Sequence, residues 1–149
     1  MELNWTFRKV LPADADQVAA HGQYREEHAL HRPRYAAWAR PRIETGSYVG
    51  WLAVADGAVI AGAGAMLLDW GPTRSNPCGQ MARIVNVFTD KAWRSRGIAR
   101  ALMEAVLRDC EAKGIGDFNL ASTSEARSLY ASLGFDAYPA EMRRRIDAC

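Results

Sequence analysis

Between Tyr48 and Trp70 the chain reads YVGWLAVADGAVIAGAGAMLLDW, two apolar runs on either side of an Asp56-Gly57 pair. An Asp-Gly pair in such a setting is a strong short-range hairpin signal, so two antiparallel strands are expected here. Met81 to Thr89, MARIVNVFT, is apolar on both alternating faces apart from Arg83 and Asn86. That pattern suits a central strand covered on each side, and the segment is expected to form the core of the sheet.

The cover is written as helical periodicity. Ile98, Ala99, Leu102, Met103, Val106, Leu107 and Cys110 fall on one stripe, with Arg100, Glu104, Arg108 and Glu111 opposite and Gly114 as the C-terminal stop. Trp5 and Phe7 alternate with Thr6 and Arg8 in a short first strand. Pro12 then opens a helical stretch, with Asp14 and Asp16 near its positive end, that is expected to run to about Ala29 with Gly22 as its one break. Arg32-Pro33 stops it, and RYAAWARPRIE follows as a second helical piece. Residues 70–80 collect Gly, Pro, Ser and Asn and read as a loop. DFNLAS reads as a strand, SEARSLYASLG as a short helix ended by Gly134, and MRRRI as part of a final strand. The order β-α-α-β-β-β-α-β-α-β predicts an α+β fold, a mixed sheet with helices on both faces, rather than a doubly wound nucleotide fold.

The chain's 149 residues fit a single domain, 1–149, with no repeat or low-complexity tract. Nineteen basic against seventeen acidic residues leave a formal charge of +2, too even to argue for nucleic acid as a partner. The three cysteines, Cys78, Cys110 and Cys149, have no paired or metal-ligand spacing, which argues for a reducing, cytoplasmic setting and against structural zinc. No apolar run approaches the ~20 residues of a membrane span, and MELNWTFRKV lacks a signal-peptide core, so neither insertion nor export is expected.

The chemistry concentrates where the apolar strand turns into the helix, at WRSRGIARALME, residues 93–104. A strand feeding a helix N-terminus leaves backbone N–H groups without partners, backed by the positive end of the helix dipole, and such a point attracts phosphate. Gly97 permits close approach, Ala99 keeps the helix start unobstructed, and Arg94, Arg96 and Arg100 add charge. Other phosphate motifs fail: there is no G-x-x-x-x-G-K-[ST], and Gly62 and Gly64 lack the third glycine of G-x-G-x-x-G because position 67 is Leu. Those two glycines are expected to serve close packing or a bulge.

Arg94-x-x-Gly97-x-Ala99 after an apolar strand resembles the acetyl-coenzyme A signature of the GNAT superfamily of N-acetyltransferases. LASTSEARSLYASLGF resembles the family's closing segment, with Leu129-Tyr130-Ala131-Ser132-Leu133-Gly134-Phe135 in register. The likeness is firm from about Met81 to Phe135 and looser elsewhere; Lys91-Ala92 departs from the Pro-Glu of many relatives. The resemblance implies a GNAT-like, mostly antiparallel sheet and a strand that bulges and splays so that pantetheine pairs with Val87, Phe88 and Thr89. It places the diphosphate on the amides from Ser95 through Arg96, Gly97, Ile98 and Ala99 to Arg100, with Arg94 opening the signature. It also implies that Tyr130 is the general acid that protonates the departing thiolate, a role a phenol of pKa ~10 can fill. Asn86 either orients the acceptor or satisfies the backbone of the bulge.

The activity so implied is transfer of an acetyl group from acetyl-CoA to a primary amine of a small molecule by direct attack in a ternary complex. Acetylation of a protein N-terminus or lysine, and a non-catalytic acyl-CoA sensor, are the alternatives. No metal is expected, and a homodimer is left open. The base that deprotonates the amine is not identified, with Glu27, His28, His31, Glu44 and Asp69 as candidates. Trp38, Trp51 and Trp70 stay unassigned between packing and an acceptor pocket, and Arg143, Arg144 and Arg145 read as a solvated strand edge.

Overall fold

A computed structural model describes residues 4–147. Its strands are β1 (Thr6–Lys9), β2 (Tyr48–Ala55), β3 (Ala58–Asp69), β4 (Gln80–Thr89) and β5 (Phe118–Asn119). They form one sheet in the order β1-β2-β3-β4-β5, antiparallel from β1 to β4 and parallel between β4 and β5. Its helices are α1 (Ala15–Gly22), α2 (Arg32–Thr45), α3 (Ile98–Ala112) and α4 (Arg127–Ser132).

The β2–β3 hairpin forms where expected, with Asp56 (φ 50) and Gly57 (φ 78) both left-handed, the backbone that a two-residue turn needs to match strand twist. The strands carry alanine and glycine on the faces that meet helices, so cover approaches closely on both sides. Ala53, Ala61, Ala63, Ala65 and Ile84 pack against Leu102, Met103, Val106 and Cys110 of α3. On the other face Val18 of α1 joins Tyr48, Leu52 and Val10, and Ala15 and Ala19 of α1 meet Ala36 of α2. The Trp51 indole N–H donates to Asp109 of α3 at 2.9 Å, a structural bond tying the hairpin to its helix.

Four sequence expectations need correction. Helix α1 stops at Gly22, and residues 26–31 form a 3-10 segment instead of continuing it. The cause is tertiary: a Cβ at Gly22 would lie 2.2 Å from Asn86 Oδ1, so the helix ends where β4 crosses it. Among the described residues β4 is the fourth of five strands, not the centre, and beyond Arg83 it has no strand on its β5 side, because β5 pairs only Ala82 and Arg83. DFNLAS contributes just Phe118–Asn119 to the sheet. Residues 136–147, MRRRI included, form no strand and run outside the sheet as an exposed arm. RYAAWARPRIE does lie in a helix, α2, with Pro41 inside it.

Candidate functional site

β3 and β4 slip register between Gly62 and Gly64: Gly62 faces Phe88 and Gly64 faces Val85, leaving two residues of β4, Asn86 and Val87, opposite Ala63 alone. This is a β-bulge with Asn86 left-handed at φ 57, a conformation asparagine tolerates better than most residues. The Asn86 amide donates to the hydroxyls of Tyr35 and Tyr48, each at 2.9 Å. Asn86 thus commits both side-chain N–H groups to these tyrosines, while the residue also borders the cleft beyond the bulge. It is the bulge residue itself, and it clamps α2 and β2 behind the strand. The glycines opposite make room: a Cβ at Gly64 would lie 2.1 Å from the Tyr48 hydroxyl, and one at Gly62 would lie 2.5 Å from His21 Nδ1.

Past Arg83, β4 is no longer paired with β5, and a cleft of about 790 Å³ opens along that side. Val87, Phe88 and Thr89 border it from the strand, and Arg94, Ser95, Gly97, Ile98, Ala99 and Arg100 border it from the start of α3. Tyr130 and Leu129 of α4 close the far wall. The sequence-derived residues thus converge on one cleft, except Arg96, whose guanidinium lies 5.1 Å over the Trp93 ring instead.

Ser95 (φ 62) and Gly97 (φ 78) are left-handed, and α3 begins without a side-chain cap. Among the described residues nothing accepts a hydrogen bond from the backbone N–H groups of residues 95–100; the first inward bond is Ala101 N–H to Gly97 C=O, 3.1 Å. Those donors sit at the positive end of a 15-residue helix. Arg94 donates to the Thr89 carbonyl at 3.1 Å and closes the strand-to-helix turn. Arg100 donates to Ser132 and pairs with Glu104 at 3.8 Å, bridging α3 to α4.

Tyr130 is 8% exposed, lies edge-on to Phe135 at 6.0 Å, and burial raises its pKa, so the phenol keeps its proton at neutral pH. None of Glu27, His28, His31, Glu44 and Asp69 borders the cleft, and all five are exposed. His28 and His31 lie on the 3-10 segment with rings 6.5 Å apart, and among the described residues no group of His, Cys, Asp or Glu is arranged to hold a metal.

The sequence reading missed His21. It is 5% exposed, stacks on Phe88 at 5.0 Å, and has Nε2 3.1 Å from the Gln17 amide nitrogen. Its signal was its place three residues after Val18 on the buried face of α1. Burial lowers its pKa from 6.5 to about 4, so the wall it makes is uncharged near neutrality. Glu125 is the one carboxylate on the cleft wall among the described residues, against Arg83, Arg94 and Arg100.

A larger cavity of about 1230 Å³ lies beyond α4, between β5, the 70–80 loop and the start of the arm. It shares Leu120 and Tyr130 with the cleft but is lined by none of residues 95–100, which carry the unpaired N–H groups at the start of α3.

The family model described as "Acetyltransferase (GNAT) domain" matches residues 17–145. A GCN5-related N-acetyltransferase from Ralstonia eutropha superposes with a TM-score of 0.88 at 29% identity, covering 97% of this chain and 100% of that one. A predicted acetyltransferase with acetyl-CoA from Clostridium acetobutylicum gives 0.87 at 19%, covering 95% and 96%. Glucosamine-6-phosphate N-acetyltransferase from Arabidopsis thaliana gives 0.74 at 17%, covering 97% and 99%, a likeness of fold. No curated protein sequence matches the chain.

Proposed function

The chain belongs to the GNAT acetyltransferases, and from that premise we propose that it moves an acetyl group from acetyl-CoA to a primary amine of a small molecule, by direct attack within a ternary complex. The observation that carries the proposal is the pairing of a strand side left open beyond Arg83 with unpaired N–H groups at residues 95–100, at the two ends of one cleft.

The residues fit such a carrier. Val87, Phe88 and Thr89 offer backbone groups to an extended pantetheine amide chain, as a neighbouring strand would. The amides of Ser95 to Arg100 supply several converging donors for a diphosphate, with the dipole of α3 behind them. Arg94 and Arg96 act mainly on the loop, one held to Thr89 and the other on Trp93, and raise the local positive potential. The carrier contributes an activated thioester. The bond from amine nitrogen to acetyl carbon forms as the carbon–sulfur bond breaks, and the Tyr130 hydroxyl delivers its proton to the sulfur. A thiol of pKa ~8.5 is a stronger acid than a buried phenol, so this transfer is uphill by itself and is completed by the proton that the acylated nitrogen gives up. The nitrogen's surplus proton returns through water in the open cleft, which Glu125 borders, to the Tyr130 phenolate, so that the phenol is restored and the products are a neutral amide and a neutral thiol.

Thiol release from acetyl-CoA, measured with a panel of small amines, tests this. Turnover is expected on at least one amine, and Tyr130→Phe should lower kcat by about 10²–10⁴-fold, the range for one general acid, while the KM for acetyl-CoA stays within a few-fold. Cofactor binding with no turnover on any amine would replace an enzyme with a sensor. An unchanged kcat in the phenylalanine variant would remove Tyr130 from the chemistry.

A further inference from the structure

Arg83 puts a charge into an otherwise apolar strand, and neither the sheet nor the carrier accounts for it. It alternates with Ala82 and Ile84, which pack with Leu102 and Met103 of α3, so its side chain stands on the opposite face of β4. That is the face where Val85 joins the Val18 cluster and Phe88 stacks on His21, both from α1. Arg83 is half-buried and borders the cleft. Its guanidinium donates to Asn119 Oδ1 at 3.1 Å, a neutral partner, and among the described residues no carboxylate forms an ion pair with it. The other two cleft arginines are engaged, Arg94 with the Thr89 carbonyl and Arg100 with Ser132 and Glu104. A cation withdrawn from water is costly unless an anion answers it, so this guanidinium is matched to an anion from outside the chain.

The cleft draws its walls from both faces of the sheet. Ile98, Leu129 and Tyr130 belong to the α3 and α4 face, and His21, Gly22 and Tyr24 come from the end of α1 and the residues after it. With diphosphate at residues 95–100 and sulfur at Tyr130, the carrier takes the first side and the acceptor has the second. There Phe88, stacked on His21 at 5.0 Å and 5.6 Å from the Tyr24 ring, makes an uncharged wall, and Arg83 is the charged group beside it. Arg32 holds the segment that carries Tyr24, donating to the carbonyls of Gln23 at 2.8 Å and Tyr24 at 3.3 Å. Arg83 precedes the Asn86 bulge by about 10 Å of strand, and the arginine's own length spans much of that interval. An anion on Arg83 is therefore a short carbon chain away from a nitrogen beside the bulge, where the pantetheine ends.

We propose that the acceptor is an amine that also carries an anionic group, a carboxylate or a phosphate, and that Arg83 binds that group. This rests on the acetyl-transfer reading of the cleft. The N–H groups of the guanidinium that Asn119 does not use form a planar fork suited to either anion. The same charge repels a second ammonium, so diamines are poor acceptors.

Rates of thiol release from acetyl-CoA with matched acceptors decide it: γ-aminobutyrate against butylamine and putrescine, and phosphoethanolamine against ethanolamine. In the wild type kcat/KM should be about 10–100-fold higher for the anionic member of at least one set, mainly through KM, the range for a hydrogen bond between charged groups. Preference within one set alone identifies the anion as carboxylate or as phosphate. Arg83→Gln, whose amide can still donate to Asn119, should bring that ratio to within a few-fold of one. Asn119→Asp gives Arg83 a carboxylate of its own and should lower the same ratio, and it serves where the glutamine variant does not fold. A melt with acetyl-CoA establishes that each variant is folded and binds the carrier. A purely structural Arg83 would leave the ratio where it was, so a preference that survives in either folded variant overturns the proposal. Neutral or dicationic amines used as well as anionic ones also overturn it, and leave the acetyltransferase reading standing. No turnover on any amine overturns both.

Discussion

His21 is where a single side chain has the widest consequence. Its ring is buried between Phe88 and Gly62, and the Gln17 amide donates to a ring nitrogen that must be unprotonated to accept. Its pKa falls from 6.5 to about 4 on folding, so the unfolded chain binds a proton between these values that the native state refuses. The stability contributed by the neutral ring is complete above pH 6.5 and is lost as pH falls toward 4, about 2 kcal/mol of it by pH 5. Urea unfolding at pH 7.5 and pH 5 should show that loss, and His21→Gln should lack most of it; an equal loss in both proteins would show that another group is responsible. Neither this residue nor Asn86 was fully legible beforehand. A histidine in a helix and a polar residue in a strand take their meaning from what crosses them, and here those partners are Gly62, Tyr35 and Tyr48, far apart in sequence. Tyr130 and Gly97 were legible because they sit in short local patterns.

Elements were readable in proportion to how locally they are determined. The β2–β3 hairpin follows from a turn that only two adjacent residues have to satisfy, and α3 from a stripe repeated over four turns. The end of α1 was misjudged because Gly22 is required by Asn86 across the sheet, not by its neighbours in sequence. The last strand was misjudged because alternation identifies a strand without naming its partner. The glycines of β3 show the same dependence. Gly64→Ala places a methyl 2.1 Å from a Tyr48 hydroxyl that Asn86 holds fixed in a side chain 2% exposed. The variant should lose roughly 1–3 kcal/mol to overpacking and bring Asn86 out of place. Gly57→Ala, which meets nothing within 4 Å, should lose only the roughly 1 kcal/mol of a left-handed turn residue. Denaturant midpoints for the pair test the ordering, and equal losses would mean that the interior of the sheet yields more easily than its packing implies.

For the molecule as a whole, the cleft is a break in the sheet. β4 and β5 meet only at Ala82 and Arg83, and beyond them the two sides are held by α3 and by the Arg100 bridge to Ser132. A carrier spanning that break joins the sides, and at about 100 times its dissociation constant it should add ~2.7 kcal/mol. For a chain of this size that corresponds to a rise in Tm of about 5–10 °C. A thermal melt with acetyl-CoA measures it, and no shift would remove the carrier from the cleft. Local opening follows the fewest bonds, so the break is also where the empty protein separates first. Susceptibility to proteases should then depend on how often the cleft is filled. Chains working amid plentiful carrier would outlast idle ones, and the standing amount of enzyme would follow the supply of its acetyl donor with no regulator in between.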